Sequence, residues 1–433
     1  MQDASNKKLP ASVFQLTCDY LYSLRNKGSK YGLARTEAFL AKIGNPERKY
    51  PVIHVAGTNG KGSVCAMLEA LYRKNGYKTG FFNSPHLIHL GERIQINREP
   101  LSENDILGWV DTFKSSTEAL AHESPELEPT FFECMAAMAF AAFAKAKVDL
   151  ALIETGLGGR LDATNIVDPE LSIITSISLD HTDLLGDTLS AIAHEKGGII
   201  KQGKPVLLGK LPKEAAVELR RIAAERDSTV YAIEDRYPSI STLPKTNLHG
   251  VYQRWNAGLA IYATEILAGR FPAPDRTALN QINWQGRWQK IELEDKTLIL
   301  DATHNPEGAH YLEENLKGLT SPPIIITGTL GEDRAQSLIK AVAPHAKELI
   351  LLEPNQERAT TIEELRSFLP LNYKTPVFEG SIEALFPHEN NCTAGRAGDT
   401  IVITGSIYLI GEVMQRIKEN SALLKRVNFQ DRI

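Results

Sequence analysis

The chain has little of what ties a protein to an oxidising compartment, a membrane or a nucleic acid. Four cysteines, Cys18, Cys65, Cys134 and Cys392, stand far apart in 433 residues with no CxxC spacing. That argues against a disulfide framework or a structural zinc site. No run reaches the roughly 18 apolar residues of a membrane helix. The nearest stretch, Met135 to Ala144, is Ala-rich and stops at Lys145 and Lys147, which suits a buried helix. Met1, Gln2 and Asp3, followed by Lys7 and Lys8, offer no apolar signal-peptide core. With 48 Lys+Arg against 53 Asp+Glu, the net charge of −5 supplies no basic field for nucleic acid or an anionic membrane. What is present is ordinary for a globular protein: 42% hydrophobic and 23% charged residues. At about 100–200 residues per domain the length predicts two domains, three at most. The expectation is a cytoplasmic α/β protein without nucleic-acid or membrane partners.

Short β-branched runs alternate with helical patterns, the signature of mostly parallel sheets covered by helices. The first series of predicted strands is Val52–Val55, Thr79–Phe82, Val148–Ile153, Leu171–Ile177 and Pro205–Leu208, with helices over Ser63–Asn75 and Phe131–Lys145. A second series covers Thr297–Asp301, Ile324–Thr327, Glu348–Leu352, Thr375–Phe378 and Thr400–Thr404. Between them Pro272, Pro274, Asn280, Asn283 and Gly286 mark the approach to a linker. The break is placed near Gln289, giving domains of 1–289 and 290–433 with a ligand cleft between.

The segment His54-Val55-Ala56-Gly57-Thr58-Asn59-Gly60-Lys61-Gly62-Ser63 follows a strand and precedes a helix, the setting of a phosphate-binding loop. Glycines let backbone N–H groups approach phosphates, the helix N-terminus adds partial positive charge, and Lys61 reaches the terminal phosphates. The spacing departs from GxxxxGK[ST], because Gly62 separates Lys61 from Ser63.

This variant resembles the ATP loop of the Mur ligase superfamily, and Gly62 after the lysine resembles its folylpolyglutamate synthase/dihydrofolate synthase branch. Further segments agree in order from about Tyr31 to about Gly411: Ser84-Pro85-His86-Leu87, Glu92-Arg93-Ile94, Thr130-Phe131-Phe132-Glu133, the block Glu154–Asn165, Leu179-Asp180-His181, Glu195–Lys201 and Gly405–Leu409. The resemblance implies a P-loop ATPase domain followed by a smaller Rossmann-like domain, in a monomeric enzyme that joins L-glutamate to folate, to dihydropteroate, or to both. ATP would convert the acceptor carboxylate to an acyl phosphate, which the glutamate amine attacks.

By the same resemblance, Gly57, Thr58, Asn59, Gly60, Lys61, Gly62, Ser63, Arg287 and Asp301 bind nucleotide. Ser84, Glu154, His181 and a carbamylated Lys196 hold Mg²⁺, two ions being expected. Lys61, Lys196 and His304 are catalytic, and Thr130, Phe132, Asp162 and Ala163 meet the pterin-bearing substrate. A surface lysine in a helical turn is the other reading of Lys196, and one of Phe131 and Phe132 is expected in the core. Asp301-Ala302-Thr303-His304-Asn305-Pro306 departs from the family's Asp-Gly-Ala-His-Asn-Pro at Ala302 and Thr303, so a required positive φ at Ala302 would disturb the loop. Gln285-Gly286-Arg287 replaces the usual Pro-Gly-Arg. Gly331-Glu332-Asp333-Arg334 stands where the family commonly has a Lys-Asp pair, and no role is assigned to it. A Mur-type ligase acting on a UDP-linked precursor and a non-catalytic nucleotide-binding regulator remain the alternatives.

Overall fold

The computed structural model describes residues 12–24, 32–388 and 391–418. The N-terminal residues read for a signal peptide, and Tyr31, lie outside the described residues. Among the described residues fourteen strands are formed: β1 Val52–Ala56, β2 Thr79–Phe82, β3 Ile94–Ile96, β4 Glu99–Pro100, β5 Leu150–Glu154, β6 Leu171–Ile174, β7 Val206–Leu208, β8 Val230–Ala232, β9 Gln289–Glu292, β10 Thr297–Asp301, β11 Ile324–Thr327, β12 Glu348–Leu351, β13 Val377–Glu379 and β14 Thr400–Thr404. They build an eight-stranded sheet in the order β4-β3-β2-β5-β1-β6-β7-β8 and a six-stranded sheet in the order β13-β12-β11-β14-β10-β9. Pairing is parallel except β2–β3, β3–β4 and β9–β10. Those antiparallel edge strands, with β8, were not read from the sequence; they are short and carry polar residues, so their periodicity is weak.

The expected strand Leu171–Ile177 stops at Ile174. Beyond it Thr175 and Ser176 turn their hydroxyls to the Asn59 carbonyl, at 2.6 and 3.3 Å. β7 begins at Val206 rather than Pro205, a residue with no N–H for a ladder. The phosphate-loop helix runs over Lys61–Lys74, two residues earlier than expected.

The Ala-rich helix Phe131–Ala146 is buried along its length on one face of the first sheet. Helices Lys61–Lys74 and Val251–Ile266 cover the other face. Complete burial explains the near-continuous apolar runs of β1 and β5, every residue of which is buried. Leu87 and Ile88, from the first sheet's domain, pack into the apolar cluster of the second around Leu300, Ile401 and Ile410. All four cysteines are free and buried. Among the described residues no helix is long and apolar enough to cross a membrane.

Candidate active site

The topology brings the carboxyl ends of β5, β1 and β6 side by side, and ligands of open α/β sheets bind at such ends. The loop after β1 is packed too closely for side chains. A Cβ on Gly57 (φ +152°) would lie 1.9 Å from Thr175 Oγ1, and one on Gly60 (φ +85°) 2.6 Å from Asn256 Oδ1. A Cβ on Gly62 would strike the Trp284 ring at 2.6 Å, which gives the extra glycine a packing reason. The Thr58 N–H donates to Ser176 O (2.8 Å) and the Asn59 N–H to Ser176 Oγ (3.0 Å), so the turn just after β6 fixes the loop. Lys61 Nζ donates to the carbonyls of Gly57 (3.1 Å) and Thr58 (3.3 Å) and lies 4.0 Å from Glu154 Oε1. Ser63 Oγ accepts from Gln253 Nε2 at 3.3 Å.

Glu154 ends β5 with its carboxylate buried, and Oε2 accepts the Ser84 N–H at 3.4 Å. Burial pushes its pKa to about 7 against the opposing pull of Lys61 and the Ser84 N–H. Since the folded value exceeds the unfolded one, the protonated form favours folding, and this contribution is lost as pH rises through about 7. Glu154→Gln is therefore expected to melt higher than wild type at pH 8 in ligand-free protein, with the gap closing by about pH 4. Thermal scans at the two pH values check this; a gap independent of pH contradicts it.

Lys196 ends helix Leu189–Gly197, and its side chain is buried, not on the surface; Nζ donates to Gly57 O at 3.0 Å. Burial first and Lys61 second lower its pKa to about 7. His181 lies at the cleft rim with its imidazole 3.9 Å from Asp180 Oδ1 and 3.4 Å from Arg334 Nη2. Burial, partly offset by Asp180, lowers its pKa. Among the described residues no group of three or more His, Cys, Asp or Glu is placed to hold a metal. Glu154 and Ser84 are adjacent and His181 lines the same cavity, a donor set that leaves most positions to phosphate oxygens and water, as Mg²⁺ prefers.

The second domain supplies the opposite wall. Asn305 caps helix Pro306–Lys317 through its Oδ1 and the Gly308 N–H (2.9 Å). The same side chain exchanges amide hydrogen bonds with Asn59 (3.1 and 2.9 Å) and donates to Asp180 Oδ2 (3.0 Å). Glu307, unmarked in the sequence, accepts from Asn59 Nδ2 (2.7 Å), Ser178 Oγ (2.9 Å) and Ser176 Oγ (3.4 Å). Asp301 Oδ1 accepts the Thr303 hydroxyl (2.6 Å) and Oδ2 the Trp288 N–H (3.0 Å). Ala302 is not in the left-handed region, so the Cβ at position 302 is accommodated. Arg287 Nη1 donates to Ala302 O at 3.2 Å. His304 Nδ1 lies 3.0 Å from Ala302 O, which fixes its proton on Nδ1. Burial lowers its pKa to about 4, so the ring is neutral.

These walls enclose a cavity of about 320 Å³ lined by every expected nucleotide residue and by Ser84, Glu154, His181, Lys196 and His304. The sequence reading missed Tyr252, Trp255 and Tyr311, which also line it. Tyr252 and Tyr311 contact at 5.1 Å across the two domains, and Lys210 sits over the Trp255 ring at 5.3 Å.

Residues 55–257 match the Mur ligase middle domain and residues 286–407 the Mur ligase glutamate ligase domain. A dihydrofolate synthase/folylpolyglutamate synthase of Bacillus subtilis (strain 168) is 33% identical over 435 residues, covering 94% of this chain and all of the relative. The chain belongs to the folylpolyglutamate synthase/dihydrofolate synthase family of Mur ligases. Solved members of the family share its fold. The E. coli protein in complex with DHPP and ADP is 28% identical with a TM-score of 0.80, the match covering 95% of this chain and 99% of that one. A bifunctional family member with Mn, AMPPNP and L-glutamate bound is 27% identical with a TM-score of 0.79, covering 92% and 97%.

The residues that the family resemblance assigns to the pterin do not line this cavity. Thr130 caps helix Phe131–Ala146 in a reciprocal box with Glu133. Phe131 is buried against Tyr22 (5.2 Å), whereas the half-buried Phe132 lies over Gly156, whose Cβ would meet its ring at 2.4 Å. Since Gly156 itself faces the cavity, Phe132 stands directly behind that wall. Asp162 spends its oxygens on the Thr164 N–H (2.9 Å) and the Leu157 N–H (2.9 Å), and Ala163 is buried beside it. Asp162 thus holds the shape of the loop that follows Glu154.

Proposed function

We propose that the chain is an ATP-dependent amide ligase that adds L-glutamate to a reduced folate, to dihydropteroate, or to both. The observation that carries this reading is the convergence of Lys61, Glu154 and Lys196 from the first domain, Arg287 from the linker, and Asp301 and His304 from the second domain around one cavity. The ligands of the solved relatives, ADP with DHPP and AMPPNP with L-glutamate, support the same chemistry. An intact set of cationic and acidic side chains speaks against a regulator without catalysis.

In this reading residues 1–289 hold nucleotide, metal and the pterin, and residues 290–433 complete the nucleotide and glutamate sites. The acceptor carboxylate attacks the γ-phosphorus, ADP departs, and the glutamate amine then displaces phosphate from the acyl phosphate. The backbone N–H groups of Gly57–Ser63 and the Lys61 ammonium stabilise the charge on the transferring group. Asp301 accepts from the ribose, with Arg287 at the phosphates, while the neutral His304 offers Nε2 as an acceptor beside them. Glu154, Ser84 and His181 would hold Mg²⁺, which would supply neutralisation of phosphate charge. Lys196, neutral in part near pH 7, adds to CO₂ with release of a proton, giving an anionic carbamate beside that metal. A closed cleft excludes water from the acyl phosphate.

Product analysis with ATP, L-glutamate and either dihydropteroate or tetrahydrofolate tests this side by side. Formation of the glutamyl amide with ADP and phosphate in equal amounts is the expected result; no amide from either acceptor overturns it.

A further inference from the structure

The hairpin between β3 and β4 turns on two residues in the left-handed region, Asn97 (φ +51°) and Arg98 (φ +73°). A two-residue turn of this kind favours Asn-Gly, because glycine holds a positive φ at no steric cost. Asn97 fits, and it anchors the turn: its N–H donates to Thr79 O and its Oδ1 accepts the Thr79 N–H, each at 2.9 Å. Arg98 is strained where glycine would be at ease, and its side chain shows what the strain serves. The guanidinium lies over the buried Phe81 ring of β2 (5.1 Å) and over the indole of Trp284 (5.2 Å), while Nη2 donates to Asn283 O at 2.6 Å. Nη1 is buried without a hydrogen-bond acceptor among the described residues. Glu69, the carboxylate that acts on Arg98 through space, is spent on Arg73 (2.7 Å) and Thr79 (2.9 Å). The cation is thus held by two aromatic faces and one linker carbonyl.

Trp284 leads from this clamp into the active site. Its Cζ2 edge fills the space beside Gly62, where a Cβ would come within 2.6 Å of the ring and 3.3 Å of Glu154 Oε2. Three residues further along the linker, Arg287 lines the cavity. We propose that Arg98 is a positioning residue for the nucleotide: by clamping the Trp284 indole against Gly62, it fixes the phosphate loop at its lysine and the linker that carries Arg287. Arg98 itself does not line the cavity, so it acts on ATP through the linker. The inference rests on the nucleotide site of the ligase reading and adds to it a residue outside that site.

The test compares full-length wild type, Arg98→Gly, Arg98→Lys, Trp284→Leu and the double variant Arg98→Gly/Trp284→Leu by calorimetric titration with magnesium–AMPPNP and by steady-state ligation. Glycine suits the turn, so Arg98→Gly should melt within a few degrees of wild type. Its Kd for AMPPNP and its KM for ATP are expected to rise about 5–30-fold, with KM for L-glutamate within about twofold of wild type. Arg98→Lys, whose ammonium can still sit over both rings, should recover most of the loss. In the Trp284→Leu background, adding Arg98→Gly should raise Kd by less than about twofold, because the clamp has nothing left to hold. An unchanged Kd in Arg98→Gly, a lysine variant no better than the glycine one, or a full further rise in the Trp284→Leu background overturns the inference. Should Arg98→Gly fail to fold, Arg98→Asn, also tolerated at positive φ, decides the same comparison. A wild type that binds AMPPNP and forms no glutamyl amide removes the ligase reading alone, since the titrations read Arg98 without turnover.

Discussion

Lys61→Ala is expected to lower glutamate-dependent ATP turnover roughly a thousandfold while leaving the melting temperature within a few degrees of wild type. Without ligand the Lys61 ammonium rests on two loop carbonyls, at 3.1 and 3.3 Å, and has no buried apolar role. Removing it leaves the glycine-built loop intact, since the Thr58 and Asn59 N–H groups hold that loop to Ser176. What disappears, in the proposed mechanism, is an ammonium charge that stabilises the transferring phosphoryl group. A second consequence sharpens the test. Lys61 pulls the Glu154 pKa down against burial, so its loss should raise that pKa and weaken divalent-cation binding at neutral pH. Metal titration of wild type and variant reads this directly. Normal ligation by Lys61→Ala, or a collapse of the fold, contradicts the assignment.

Lys196→Ala should cost about 10²–10³-fold in turnover, and Lys196→Arg as much. The amine is buried against Gly57 O, and burial and Lys61 together depress its pKa to about 7. Half-neutral at physiological pH, it is a nucleophile for CO₂, whereas a guanidinium is not. If the working form is the carbamate, wild-type turnover should fall in CO₂-free buffer and return with bicarbonate. Short carboxylates such as acetate should restore part of the activity of Lys196→Ala but none to Lys196→Arg, which leaves no room. Full activity without bicarbonate in wild type contradicts the carbamate.

Much of the fold was legible because the two parallel sheets are buried on both faces and write themselves as β-branched runs. β1, β5, β6, β10, β11 and β14 lie within two residues of expectation at their starts, and the Ala-rich stretch from Met135 forms the buried helix it suggested. The strands that escaped, β3, β4, β8 and β9, are only two to four residues long, too short to show a period. The phosphate loop was readable for a different reason, since its glycines, lysine and flanking elements are contiguous. Side chains that serve the site from separate elements left no comparable mark. Glu307 reads as a first-turn helix acid, Arg334 as a solvated charge, and Tyr252 and Trp255 as core aromatics.

The sequence by itself determined the order of the buried parallel strands and the glycine-rich loop with Lys61 that follows the first of them, because each depends on neighbours along the chain. Only the tertiary structure decided that Lys196 is buried, that Ala302 stays out of the left-handed region, and that Asp162 bonds the Leu157 N–H instead of lining the cavity. It also decided which cation crosses the cleft. Those outcomes depend on burial and on contacts between residues more than a hundred positions apart, Asn59 with Asn305 and Asp180 with Arg334, and no local pattern encodes such distances.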